Sequence, residues 1–292
     1  MAAPLSSLEE LSVSGNDLQE FDITMFPALH SLNVDHNMIP VLQGVSNAKQ
    51  LSRLSWRDQR LSSPPHVQSL PELEHLHVSS NSIPIFKPLT TFLNLRTLEL
   101  ASSGLHSLSP DFGRRCPNIR TLNLNFNAVR DLRPLRGIHR LVRLYLVGNR
   151  ISKLRQTAAA LDSISEGLQE LDLRNNPLTL GFLLPLREPI DDKRLVLQGY
   201  QQEPADARPN STWEVKYLLP RPDGQEDRVA RERFDEATKV RRRVYEVLLM
   251  NTCPSLALLD GLEVERTDAG KKDEVWRRLR EMGVLKTLES QV

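Results

Sequence analysis

One pattern, Leu-x-x-Leu-x-Leu-x-x-Asn-x-Leu, recurs eight times between Leu8 and Leu178, and it leaves the chain few ways to fold. Its Asn position falls on Asn16, Asn37, Gln59, Asn81, Ser103, Asn127, Asn149 and Asn176, in steps of 21, 22, 22, 22, 24, 22 and 27 residues. A period this constant belongs to a stacked coil, because one such unit has too little apolar surface to stand alone. Each Leu-x-Leu reads as a short strand whose leucines point inward while the residues between them point out. Neighbouring coils then share one leucine core. The Asn closes the turn after the strand, and its amide can satisfy backbone groups that stacking would bury unpaired. Gln59 and Ser103 depart from Asn, and the shorter Ser103 should make the fifth coil the weakest rung.

The second half of each coil fixes the subclass. Leu132, Leu135, Ile138 and Leu141 are spaced by three, which suits one short 3₁₀ or helical turn on the convex side. Pro134 stands near its start, where proline is tolerated. The expected fold is α/β: a right-handed leucine-rich-repeat solenoid with a parallel concave sheet and a C-terminal cap. Leucine makes up about one residue in six, and the excess is explained as one small core copied many times.

Composition removes other classes. The chain has 292 residues and a net charge of +1, from 38 basic and 37 acidic residues. That balance does not favour generic binding to nucleic acid or to a membrane surface. No apolar run reaches the 18 or so residues of a membrane helix, and Met1 to Glu10 has no signal-peptide core. Cys116 and Cys253 stand far apart and form neither a disulfide framework nor a metal signature, which fits a reducing compartment.

Residues 1–184 hold the repeats, and 185–228 form an irregular insertion rich in Pro, Asp, Gln and Arg. Within it, Arg194 to Gln198 and Trp213 to Leu219 read as short strands. Residues 229–292 read as a helical cap. Val229, Phe234, Ala237, Val240, Val244, Val247 and Leu248 make one helical stripe over Arg228 to Met250. Cys253 to Leu262 reads as a last, degenerate strand, and Lys272 to Leu288 as an amphipathic helix. The first coil has no capping helix before Leu8. Either Met1 to Ser7 is a minimal cap or the chain is part of a longer protein, and the second reading is preferred.

The coils resemble the short leucine-rich repeats of intracellular scaffolds and phosphatase regulators. More specifically, the run Leu171-Asp172-Leu173-Arg174-Asn175-Asn176-Pro177-Leu178-Thr179-Leu180-Gly181-Phe182 is followed by the insertion. Then come Arg243-Val244-Tyr245, Cys253-Pro254 and Leu259-Asp260-Gly261. This arrangement resembles the fungal spindle-pole-body scaffolds that organise the septation initiation, or mitotic exit, network; centriolin is an animal relative. The resemblance implies a non-catalytic protein-interaction scaffold in cell division, cytoplasmic and placed at the microtubule-organising centre. It implies protein partners: a pole-body anchor, regulators of a small GTPase, and kinases. A phosphatase-regulatory subunit is the alternative, but the insertion counts against it. An RNA–protein assembly factor would need a basic surface.

No Ser-His-Asp or Cys-His set and no phosphate-binding loop can be assigned, so catalysis, a cofactor and a small-molecule substrate are not expected. His75 and His77 point to one face with Glu99 beside them, but a metal there is not the preferred reading. Lys239 to Arg243 is the densest basic run, offset by nearby acids. Ser63-Pro64 and Ser109-Pro110 are read as turn chemistry rather than modification sites. The strand-face residues are free for recognition. Asn123, Asn125, Phe126, Arg143, Tyr145, Asp172 and Arg174 gather aromatics and arginines on coils six to eight, as an exposed concave patch for a protein partner.

Overall fold

A computed structural model describes residues 5–63, 67, 70–184, 217–264 and 272–285. Each repeat contributes one three-residue strand, numbered here by coil: β1 Glu10–Ser12, β2 Ser31–Asn33, β3 Arg53–Ser55, β4 His75–His77, β5 Thr97–Glu99, β6 Thr121–Asn123, β7 Arg143–Tyr145 and β8 Glu170–Asp172. They pair in parallel, in chain order, and the sheet continues into β9, Leu258–Leu259. The cap then turns back antiparallel through β10, Leu262–Glu263. The degenerate last strand expected at Cys253 to Leu262 is therefore present, one coil beyond β8. The register sets Leu11, Leu32, Leu54, Leu76, Leu98, Leu122, Leu144, Leu171 and Leu259 in one column.

That column anchors the main apolar core, which runs from Ile23 to Leu259. Leu32 to Leu171 in it are fully buried, whereas Leu11, Val13 and Leu18 of coil one are only partly so. On the convex side, Val45–Asn47 and Arg133–Leu135 form 3₁₀ turns, the second with Pro134 in its first turn. The helix α1, Phe112–Arg115, and the longer α2, Leu154–Asp162, take up the extra residues of the longer repeats.

The residue before each Asn position lies in the left-handed region: Gly15, His36, Asp58, Ser80, Ser102, Phe126, Gly148 and Asn175 all have φ between 52° and 72°. That turn aims the next side chain back under the strand. In coil six Asn127 Oδ1 accepts from Ser103 N and Leu105 N, at 3.1 and 2.8 Å. Its Nδ2 donates to the Leu100, Leu124 and Asn125 carbonyls at 2.8, 3.0 and 3.2 Å. Asn37, Asn81, Asn149 and Asn176 bridge their own coil and the preceding one in the same way. Asn16 in coil one donates within its own coil. Gln59 serves equally well: its Oε1 accepts from Ile39 N at 3.0 Å and its Nε2 reaches Val34 O at 2.7 Å. Ser103 is too short to accept from coil four. Ile83 N turns instead to the Ser103 backbone carbonyl, at 2.8 Å.

The cap differs from expectation in one respect. The stripe read as one helix is two: α3, Gly224–Arg233, and α4, Glu236–Thr252. Phe234 is extended, and Asp235 caps α4 by accepting from Thr238 N at 2.8 Å. Asp223 caps α3, which therefore begins inside the span assigned to the insertion. A last helix, α5, Glu274–Glu281, is shorter than the expected amphipathic segment. It packs with α2 and α4 around Ala158, Val247, Leu248 and Leu285. The expected strand at 194–198 lies outside the described residues; of 213–219 only Tyr217 to Leu219 are described, and they form no strand.

Candidate functional site

The parallel register stacks outward-facing side chains into columns, with coils about 4.8 Å apart. One column runs Asn33, Ser55, His77, Glu99, Asn123, Tyr145 and Asp172. On coils two to five it carries a buried polar ladder. Arg57 Nη1 reaches Asp35 Oδ2 at 3.3 Å and its Nη2 reaches Glu99 Oε2 at 2.7 Å, with a short contact to His77 Nδ1. Ser55 Oγ and the Arg57 N–H donate to Asp35 Oδ1, at 2.7 and 2.8 Å, and Ser79 Oγ donates to Glu99 Oε1 at 3.0 Å. Burial disfavours the Arg57 cation, yet Glu99 and Asp35 outweigh it and raise its pKa. The ladder spans four coils, from Asp35 to Glu99.

On coils six to eight the patch read from sequence forms, but it is not open. Asn123 and Asn125 are fully buried, and Tyr145, Asp172 and Arg174 are 6, 6 and 7% exposed. Phe126 is half-buried and only Arg143 is exposed. The expectation of an exposed patch is thus corrected for most of these residues. Asp172 holds Arg174 through both carboxylate oxygens, at 2.6 to 3.1 Å. Tyr145 donates to Glu170 Oε2 at 3.0 Å, and Arg143 Nε donates to Thr121 Oγ1 at 3.1 Å. The Phe126 ring lies so close to Gly148 that a Cβ there would meet it at 2.9 Å.

The chain itself closes this face. Tyr217 O accepts from Asn125 Nδ2 at 2.8 Å, and the Tyr217 hydroxyl meets Ser80 Oγ at 2.6 Å. Pro220 O accepts from Arg174 Nη1 at 2.9 Å. Pro222 packs against Gly261, where a Cβ would meet its ring at 2.6 Å. Residues 217–222 therefore cross from coil four, over coil six, to coil eight and the cap. Sequence reasoning missed Tyr217, Pro220, Asp35 and Arg57 as participants. Only the apolar run at Trp213 to Leu219 signalled that something packs there.

Among the described residues, the joint between coil eight and the cap carries the most perturbed carboxyl. Asp260 Oδ1 accepts from Leu173 N and its Oδ2 from the Tyr245 hydroxyl, both at 2.7 Å. Burial, and then the neighbouring Asp172 carboxylate, push Asp260 up to about 7. An unfolded chain ionises this group near 4, whereas the folded one keeps its proton until about 7. The folded state thus binds more protons in that window, and stability falls as pH rises through it. Asp260→Asn retains an acceptor for Leu173 and removes the slope. Its stability relative to wild type should rise between pH 4.5 and 6.5, by up to about 1.4 kcal/mol per pH unit. Urea melts across that range check it; parallel profiles for the two proteins would show that Asp260 titrates normally.

The other sequence candidates fall into place. His75 is half-buried beside Glu74, and His77 belongs to the Arg57 ladder. Among the described residues no group of three or more His, Cys, Asp or Glu is placed to hold a metal. The basic run is spent internally. Arg241 donates to Leu180 O at 2.9 Å and lies over the Phe182 ring, Arg242 is buried against Asp227, and Arg243 pairs with Asp273. Cys116 and Cys253 are both buried free thiols, and burial pushes Cys116 up to about 12. Ser109 is buried. No helix among the described residues is long and apolar enough to cross a membrane.

Comparison with known proteins adds an independent observation. Family models of the leucine-rich repeat match residues 94–151 and 167–187. Over 253 residues, 85% of the chain, the sequence is 30% identical to the septation initiation network scaffold protein cdc11 of Schizosaccharomyces pombe. The chain spans 23% of that protein's length. A stretch of 62 residues, 20% of the chain and 10% of the relative, is 48% identical to leucine-rich repeat and fibronectin type-III domain-containing protein 4 of Rattus norvegicus. An internalin C2 from Listeria monocytogenes superposes with a TM-score of 0.49 and 23% identity, over 57% of this chain and 72% of that one.

Proposed function

We propose that this leucine-rich-repeat solenoid, similar over most of its length to a septation initiation network scaffold, is the protein-interaction module of such a scaffold. It acts at the spindle pole body and brings a pole-body anchor together with GTPase-regulator and kinase components of the network. The observation that carries this reading is the reach of the similarity. An alignment of 253 residues cannot be contained in the repeats of residues 1–184, so it extends into the region after them. Repeats alone are shared by many proteins; repeats followed by the same kind of C-terminal region are not. The polar side chains of the concave face described above are engaged with one another or with residues 217–222, in a framework that holds shape.

Proximity labelling in dividing cells of the source organism, with the chain as bait, tests the assignment. The expected result is enrichment of microtubule-organising-centre proteins and of the network's GTPase regulators and kinases. Enrichment of phosphatase catalytic subunits or of splicing proteins, with no pole-body proteins, overturns it.

A further inference from the structure

The concave face is met by a segment of the chain itself, residues 217–222. Residues 217–222 lie in the groove without joining the sheet. Among the described residues, no strand is assigned within 217–222. They are held as a bound peptide is held, by side chains of the receptor reaching backbone carbonyls of the segment: Asn125 to Tyr217 O and Arg174 to Pro220 O. The receiving side chains are positioned by the sheet, not by the segment. Asn125 Oδ1 accepts from Val147 N at 2.8 Å, which turns its amide nitrogen toward the groove. Arg174 is clamped by Asp172, which leaves Nη1 for the segment. Tyr217 itself pays for its position with a φ of 61°, in the left-handed region that an aromatic residue rarely adopts.

We propose that the groove over coils four to eight is a receptor for a tyrosine-bearing peptide presented by another protein, and that residues 217–222 occupy it in cis until that protein arrives. The proposal deepens the scaffold reading and rests on it only in taking the chain as an interaction module. The pocket sets the motif. The phenol oxygen meets Ser80 Oγ, and the charges of Glu99, Arg57 and Asp35 act on it. A backbone carbonyl, which any residue supplies, meets Arg174 three residues later. Burial, with the Glu99 and Asp35 carboxylates, raises the phenol against the Ser80 bond and Arg57, so the pocket takes a neutral hydroxyl. A phosphorylated tyrosine, bringing up to about two negative charges to these carboxylates, is refused. Phosphorylation of the partner's tyrosine would then release it.

The cis segment competes at an effective concentration in the millimolar range. A peptide in trans therefore binds wild type with an affinity reduced by the closed fraction. Fluorescence anisotropy with a labelled peptide copying residues 217–223 reads this directly. Tyr217→Ala should bind the peptide at least about tenfold tighter than wild type, because its own segment no longer fills the pocket. Tyr217→Phe, which removes one hydroxyl and leaves the fold intact, should shift affinity in the same direction by a smaller factor. The same peptide with alanine or phosphotyrosine in first place should not bind. Equal or undetectable binding to wild type and Tyr217→Phe overturns the proposal, as does equal binding of the alanine peptide. The assay contains no cellular partner, so its failure leaves the proximity-labelling result standing, and the reverse also holds.

Discussion

Arg242→Ala is expected to cost about 3 to 5 kcal/mol and to loosen the whole C-terminal cap. Arg242 is 3% exposed. Its Nη1 donates to Asp227 Oδ1 and to Phe182 O, both at 2.9 Å, its Nη2 to Asp227 Oδ2 at 2.7 Å, and its Nε to Glu246 Oε1 at 3.0 Å. One guanidinium thus joins α3, α4 and the end of the repeats. Truncation leaves the Asp227 carboxylate buried, with only the half-exposed Arg231 at 3.0 Å in compensation. The neighbouring Arg241→Ala is the control. That side chain makes one exposed bond to Leu180 O and lies over Phe182, so its loss should cost about 1 kcal/mol. Asp227→Leu combined with Arg242→Met removes both charges and should recover most of the loss, since a buried pair is costly mainly when half of it is removed. Urea melts of the four proteins decide it. An Arg242→Ala variant no less stable than Arg241→Ala would mean that the cap is not tied through this pair.

The contrast between these adjacent arginines shows where sequence reading stops. Periodic features are local and repeat, so each copy supports the others. All eight strands, the leucine column and the Pro134 turn follow from spacing alone. The Ser103 departure is visible as a missing amide, and the structure shows its consequence at Ile83. Polar pairs across long separations have no period. Asp227 and Arg242 sit 15 residues apart on two helices that read as one stripe, because the Asp235 cap is a single residue against a strong apolar pattern. Arg57 reads as one more strand-face residue until the stacking of coils sets Asp35 on one side and Glu99 on the other. The concave patch has the same history. Its residues do come together, since the column register is periodic. Two of them, Asn125 and Arg174, are met by Tyr217 and Pro220, which return to the sheet from beyond the insertion and carry no pattern that points back to coils four to eight. Residue type and spacing therefore located the face but not its occupant.

Asn127→Ala should cost about 3 to 5 kcal/mol, whereas Ser103→Ala, at the same template position one coil earlier, should cost about 1 kcal/mol or less. The difference follows from counting what each leaves behind. Without the Asn127 amide, Ser103 N, Leu105 N and Leu100 O lose their partner inside the core. Leu124 O keeps Asn149 Nδ2 at 2.9 Å and Asn125 O keeps Ser102 N at 2.9 Å, so these two carbonyls are not orphaned. Three stranded backbone groups at about 1 to 3 kcal/mol each set the scale, reduced by whatever water enters the turn. Ser103 Oγ supports only the Val78 and Ala101 carbonyls, at 3.3 and 3.2 Å, and Val78 O also has Asn81 Nδ2 at 2.8 Å. The work done elsewhere by an Asn is done in this coil by the Ser103 backbone carbonyl, which survives substitution. Because the backbone and amide rungs of each coil bond only to its neighbours, the damage should stay local. Hydrogen exchange in Asn127→Ala should quicken first at the Ser103 and Leu105 amides, while the amides of coils two and three keep their protection. Equal losses for the two variants, or uniform exchange along the solenoid, would show that the amide rungs do not carry the stacking.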